Sequence, residues 1–458
     1  MGTIATTRSD SRSAADTVNR LVRRVAGGLR RPYMIDVGVA LAFLAVAAWL
    51  THGLWPDPAT RELALNPADQ TLIEWFLAVD TRVLLGDHGL VTDRLNAPDG
   101  VNLLANATSL TLGFLLAPVT LTLGAPVSFA VLTAGNLAGT AIAWYLLFSR
   151  TLKTHRAAAV VGGAFCGFAP AMVSQSNSHW HIAAQWLVPA IVWSVVRLAR
   201  AAAADEYRRV ITSGLWLAGL VVVQYFLGAE VLYLTAVTLV VFTAAYALLR
   251  PRWAWRVLPG FAAGMAVAAG TATMLLAYPL WLQFAGPGSV PNGPFQTAYF
   301  SADLASWPAY SPLTVAGTEA AAELATGPAE YNTFLGWPLL VVAAGCVIWL
   351  RDRPLVIAAT AVAAVLAVLS LGPELVVNQN RTGITMPYQA LLDRPVIDAA
   401  LPQRYALPVV PLLAAVIVLA LDRALRSLPG RVRLLGPVAI GLALLPLFPT
   451  PLPTGDRP

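Results

Sequence analysis

Charge is what this sequence has least of: of 458 residues only 12% are Asp, Glu, Lys or Arg, against 57% hydrophobic, and mean hydropathy is +0.66. Soluble domains carry about a quarter charged residues, so a water-soluble domain is excluded and a polytopic membrane protein implied. Cysteine is almost missing as well. Cys166 and Cys346 stand in separate apolar runs, which removes a disulfide framework and a cysteine zinc site and leaves packing as their role. No Walker loop, dinucleotide fingerprint, HExxH or nucleophile elbow occurs in a usable context, so ATP-driven transport by this chain alone is not expected. Residues 1–33 are too polar, and too long before the first apolar run, for a cleaved signal peptide. That run is expected to stay as a transmembrane helix. The net charge of +6 comes from arginines bunched between apolar runs, the mark of cytoplasmic loops rather than of a nucleic-acid partner.

Roughly 17 to 25 apolar residues cross a bilayer. Runs of that kind are read at about 34–53, 127–149, 157–175, 182–199, 211–228, 231–249, 257–280, 334–350, 354–371, 405–422 and 432–449. Arg20, Arg23, Arg24, Arg30 and Arg31 hold the N-terminus in the cytoplasm. Five later clusters, at 150–156, 197–209, 250–256, 351–353 and 423–433, come out cytoplasmic only if residues 66–126 make no crossing. The apolar run Thr108–Gly124 is therefore expected to be interfacial or re-entrant, shortened by Pro118 and closed by Gly124. The expected architecture is an all-α polytopic membrane protein with about eleven transmembrane helices and an external C-terminus. Residues 1–33 form a basic cytoplasmic segment, and 34–458 a single domain with interfacial helices in external loop 54–126 and a second long external loop at 283–332. Loops of that second length are lids, binding loops or disordered, and the aromatics of 295–310 argue against disorder.

Candidate chemistry gathers in the stretch from Asn66 to Asn106, rich in carboxylates. Asp69 opens a helical pattern in which Leu72, Ile73, Phe76, Leu77, Asp80, Val83 and Leu84 recur at spacings of three and four. With Pro67 just ahead, Asp69 reads either as an N-cap, worth about 1 kcal/mol, or as a catalytic base. The two roles are hard to combine, because a capping carboxylate is already occupied. Arginines on the outer side need a reason, and phosphate is one. Arg404, in LPQRY beside Tyr405, would either grip a lipid phosphate or anchor a helix end by snorkelling. His179 and His181 flank Trp180 and read as a metal pair or as interfacial anchors. Glu230 follows QYFLGA between two spans, where a carboxylate costs a few kcal/mol, so it is a functional candidate or a wet turn residue.

A basic N-terminus, one span, an acidic external loop and a second span ending in a basic cluster resemble the GT-C superfamily of polyprenyl-phosphate-sugar-dependent glycosyltransferases. The detail is similar to that of its bacterial, actinobacterial-type multi-spanning members, carried by PADQTLIEWFLA, TDRLNAPDGVNLLAN, GFAPAMVSQSNSHWHIAAQWLVP, QYFLGAE, MPYQALL and LPQRY. The resemblance implies transfer of a sugar from a lipid-linked donor to an extracytoplasmic glycan, lipid or protein acceptor at the plasma membrane, among membrane lipids and without nucleic acid. It implies Asp69 as base, Arg404 near the donor phosphate, and Trp75, Asp99, Asn102, His179, His181, Glu230 and Tyr405 as substrate-binding residues. Asp69 is followed by Gln70, where mannosyltransferase relatives show an acidic pair, and the external loops hold no DxD motif, so no cofactor is assigned and a divalent metal stays open. Two other functions fit the same residues: a transporter or flippase of a lipid-linked glycan, and a non-catalytic partner protein. A site of this kind should gather Asp69, Arg404, His179 and Glu230 on one outward cavity.

Overall fold

Apolar runs must satisfy their backbone groups internally in a bilayer, and helix predominates here accordingly. The computed structural model describes residues 33–290, 295–392, 394, 400–427, 429–430 and 432–458; the basic segment 1–32 and Arg431 lie outside them. The helices are α1 (Tyr33–Leu50), α2 (Pro67–Leu85), α3 (Leu110–Leu123), α4 (Ala125–Leu146), α5 (Arg156–Phe168), α6 (Pro170–Gln175), α7 (Trp180–Ala183) and α8 (Val188–Ala203), followed by α9 (Tyr207–Leu227), α10 (Ala229–Leu249), α11 (Pro251–Ala285), α12 (Trp337–Trp349), α13 (Pro354–Ser370), α14 (Val409–Ser427) and α15 (Val432–Leu444). Short strands β1 (Arg61–Leu63), β2 (Val91–Thr92), β3 (Val101–Asn102), β4 (Glu374–Val377), β5 (Asn380–Thr385) and β6 (Thr454–Asp456) pair antiparallel as β1 with β6, β2 with β3 and β4 with β5.

Among the described residues, eight helical stretches are long and apolar enough to cross a membrane: α1, α4 continued to Thr151, α5 with α6, α7 with α8, α9, α10, α11, and α14 with the turn before it from Pro402. This is the architecture of a multi-pass membrane protein. Three of the expected spans are shorter than read from the sequence, since α12 and α15 have 13 residues and α13 has 17. At 1.5 Å per residue a 13-residue helix reaches only about 20 Å of the roughly 30 Å hydrocarbon core. The span expected at 182–199 is broken between α7 and α8, where Gln185 donates to the Ile182 carbonyl and Pro189, without an N–H, stands in the first turn of the next helix. Pro118 does not end α3, which continues through it to Leu123; Gly124, at φ +93°, closes it as expected.

The helix ends fall into two groups. At one, Asp36 at the start of α1 meets Arg150 and Arg156 around the α4–α5 turn, His155 N–H donates to Asp422, Arg423 pairs with Asp352, and Arg200 donates to the Thr151 carbonyl. At the other lie the first loop, the α6–α7 turn and the start of α10. Because α1 starts and α4 ends at the basic group, α2 and α3 together make no net passage between the groups. That geometry agrees with the non-crossing expected of residues 66–126. At the second group the end of the chain closes the first loop: β6 pairs with β1, Leu452 N–H donates to Leu50, and Arg457 pairs with the buried carboxylate of Glu74. The loop beyond α11 holds the buried Asp303, which accepts from the Ala305, Asn378 and Gln379 N–H groups and so ties it to the β4–β5 hairpin.

Candidate functional site

Pro67 occupies the first position of α2, where its missing N–H costs nothing, and Asn66 is the residue at the cap. Asp69 therefore sits inside the first turn and is not the N-cap. Its carboxylate accepts from Asn66 Nδ2 at 2.7 Å instead, and Asn66 also donates to the Asn177 carbonyl while Ser178 Oγ donates back to the Asn66 carbonyl. These bonds staple the start of α2 onto the α6–α7 turn and bring Asp69 to 3.5 Å from His179 Nε2. The neighbouring imidazole and the Asn66 amide hold the Asp69 carboxyl below its usual range against the opposing effect of burial, and its side chain is still 43% exposed.

His179 is the hinge of the site. Its Nδ1 lies 3.0 Å from Gln175 Oε1 and 3.5 Å from Glu330 Oε1, so both ring nitrogens face oxygen acceptors. Glu330 is buried in the loop beyond α11 and accepts from Arg404 Nε at 3.0 Å and Nη2 at 2.5 Å, with Asn332 Nδ2 on its other oxygen at 2.7 Å. Burial pushes the Glu330 carboxyl up, but the Arg404 charge, the His179 ring and the Arg404 and Asn332 hydrogen bonds outweigh it and hold it low. Arg404 sits in the turn before α14, 8% exposed, and its Nη1 reaches Glu230 Oε2 at 2.5 Å. Beside it Tyr405 shares a 2.7 Å hydroxyl contact with Tyr233. Glycine is required next to Glu230: a Cβ on Gly228 would stand 2.4 Å from the His181 carbonyl oxygen.

Asp69, His179, Arg404 and Glu230 thus form one connected network, with His181 and Tyr405 adjoining it, but of these four only Glu230 borders the neighbouring cavity, so they do not gather on one outward cavity as expected. The cavity beside it, about 400 Å³, is bordered by Glu230 and His181 together with Thr108, Tyr225, Tyr233 and Gln283, while Asp69 stands outside it at the exposed end of the network. Glu230 Oε1 and His181 Nδ1 are buried and find no hydrogen-bond partner. Arg404 differs from expectation: all three of its nitrogens are engaged, so it holds two carboxylates together rather than waiting for a phosphate. Trp75, Asp99 and Asn102 lie apart. Trp75 packs on Phe76 at 5.2 Å between ring centres, Asp99 is exposed in the β2–β3 loop, and Asn102 is buried with its amide donating to the Leu282 and Pro287 carbonyls. Among the described residues no three His, Cys, Asp or Glu side chains are grouped as metal ligands, and His179 and His181 stand with ring centres 6.2 Å apart.

Reading the sequence missed Glu330, Gln175, Asn332 and Asn66. Gln175 carried a signal, since it lies one turn before His179 within the polar run SQSNSHWH. Glu330 carried none, because it sits in a long loop without periodicity. Compared with protein-family models the chain matches none, and no curated protein matches it in sequence.

Proposed function

We propose that this chain is a membrane glycosyltransferase that moves a sugar from a polyprenyl-phosphate donor to an acceptor hydroxyl at the end of the bundle holding Asp69. The observation that carries the reading is the Asp69 carboxylate itself. It is free of capping, partly exposed, oriented by His179 and joined through a buried ion network to a cavity of about 400 Å³. In the proposed step the acceptor oxygen attacks the anomeric carbon and its proton goes to Asp69. The bond from that carbon to the phosphate oxygen breaks, and its electron pair leaves with the phosphate. Asn66 and His179 keep Asp69 ionised and aimed, and Arg404 positions Glu230 and Glu330.

An apolar groove of about 530 Å³ supports a lipid-borne donor; it reaches from Gln185 and Leu407 past Phe242 and Phe261 to Thr151 and Arg200. On this reading the chain crosses the plasma membrane eleven times, using α12, α13 and α15 despite their length, with its basic end cytoplasmic and Asp69 and the C-terminus outside. The test is direct. Reconstituted protein is given labelled polyprenyl-phosphate sugars and hydroxyl acceptors, and products are read by mass spectrometry. Glycosidic product from the wild type and none from Asp69→Asn supports the assignment, whereas equal turnover by both removes it. The same groove, running between the two ends, favours a second reading as a flippase, which predicts movement of labelled lipid across proteoliposomes without a new glycosidic bond.

A further inference from the structure

The two side chains of the site that carry an unpartnered polar atom border one space. Glu230 Oε1 and His181 Nδ1 are buried without a hydrogen-bond partner, and both residues border the same cavity. Buried polar groups left unpaired by the protein are rare and costly, so their place is to be met by a ligand. A carboxylate oxygen accepts only, so the ligand must offer it an O–H or N–H. The remaining wall mixes the aromatic rings of Tyr225, Phe226, Tyr233 and Phe284 with the amides of Asn106 and Gln283. Flat apolar faces beside a few fixed polar groups suit a sugar ring, and about 400 Å³ lies within the usual range of small-molecule sites.

Charge narrows the class. No Arg or Lys borders the cavity among the described residues, and the network behind it sets three carboxylates, Asp69, Glu230 and Glu330, against the single guanidinium of Arg404. An anionic sugar would bring its carboxylate beside Glu230, whose one cation, Arg404, is already shared with Glu330, and like charges at close quarters cost several kcal/mol. We propose that this cavity is the pocket for the transferred sugar and that Glu230, with His181, selects a hydroxyl-bearing, non-anionic sugar over a uronic acid. The inference rests on the glycosyl-transfer reading for the identity of the ligand, and its test is therefore binding rather than turnover.

The full chain in lipid nanodiscs is titrated with farnesyl-phosphoryl-glucose, with its C6-carboxylate counterpart and with farnesyl phosphate, following tryptophan fluorescence. The expected order is glucose donor tightest, with the uronate weaker by about tenfold or more. Glu230→Gln should bring the two sugar donors to near-equal affinity. Ala236→Trp, at an exposed position on α10 that borders the cavity, should weaken the glucose donor towards the level of farnesyl phosphate. Equal wild-type affinity for the two sugars, a ratio unmoved by Glu230→Gln, or a glucose donor no tighter than farnesyl phosphate would overturn the proposal. Failure of transfer with this binding order intact would count against the transferase reading alone and leave the sugar pocket standing.

Discussion

Replacing Arg404 by Met removes the one cation that holds Glu230 and Glu330 together. The side chains concerned are 10%, 18% and 6% exposed, so water cannot take over its role. Breaking a buried pair by deleting one partner costs about 3–5 kcal/mol, and here two carboxylates are stranded, so the upper part of that range is expected. The pH dependence makes the prediction specific. In the wild type the Glu330 carboxyl is held below its ordinary range, so its contribution to stability is present above about pH 4.3, the unfolded value, and is lost as the pH falls through the lowered folded value. In Arg404→Met, burial becomes the dominant influence and raises it. Its contribution is then present below about pH 4.3 and lost as the pH rises. Lowering the pH from neutral towards that value should therefore recover much of the variant's stability without helping the wild type, and Arg404→Met with Glu330→Gln should recover part of it at neutral pH. Thermal unfolding in detergent reads this, with a thiol-reactive dye at neutral pH, because Cys166 and Cys346 are both free and buried, and with tryptophan fluorescence at about pH 4, where too little thiolate remains to react. A variant as stable as the wild type, or one with the same sign of pH dependence, would refute the reasoning.

Asp69→Asn should lower transfer by about 10²–10⁴-fold while unfolding shifts little, and a product assay alongside the dye assay separates the two effects. Asp80 is fully buried under α3 with its carboxyl pushed up to about 7 by burial, against hydrogen bonds from Thr108 and the Ser109 N–H. Its contribution is complete below about pH 4 and lost as the pH rises through about 7, so Asp80→Asn should stabilise the protein at pH 8 and change little at pH 4, as melting at both values will show. Gly113→Ala would place a methyl 2.3 Å from Asp80 Cβ, and the overpacking should cost about 1–3 kcal/mol in the same assay. Arg457→Ala strands the buried carboxylate of Glu74 and should destabilise by about 1–3 kcal/mol, with Glu74→Gln in the same chain restoring part of the loss.

What the sequence made readable followed from periodicity and from the cost of charge in lipid. The apolar runs located the long helices, and the spacing of basic clusters predicted that residues 66–126 return to the side they left, which the Asp36 to Arg150 contact matches. The same cost singled out Glu230, and an outward arginine without an obvious reason pointed to Arg404. Partners were harder to read than positions. Arg404 was read as gripping a phosphate or anchoring a helix end, and not as an ion-pair partner, because Glu330, which binds it, sits 74 residues earlier in a loop with no pattern. Asp69 reads as a cap or a base from the sequence, and only the structure shows the helix already under way at Pro67. The strands also escaped notice, being two to six residues long, with β1 and β6 paired across most of the chain and the β4–β5 hairpin turning on Asn378 and Gln379 without a glycine.

The pairing of β1 with β6 sets an order in time. Arg61 contacts Asp456, 395 residues later, and the first loop has its partner strand only after everything between has been made. While the helices insert one after another, Glu74 lacks Arg457 and the start of α2, with Asp69 on it, lacks the strand that braces its approach. The start of α2 would thus gain its bracing strand late, although Asp69 itself is translated early.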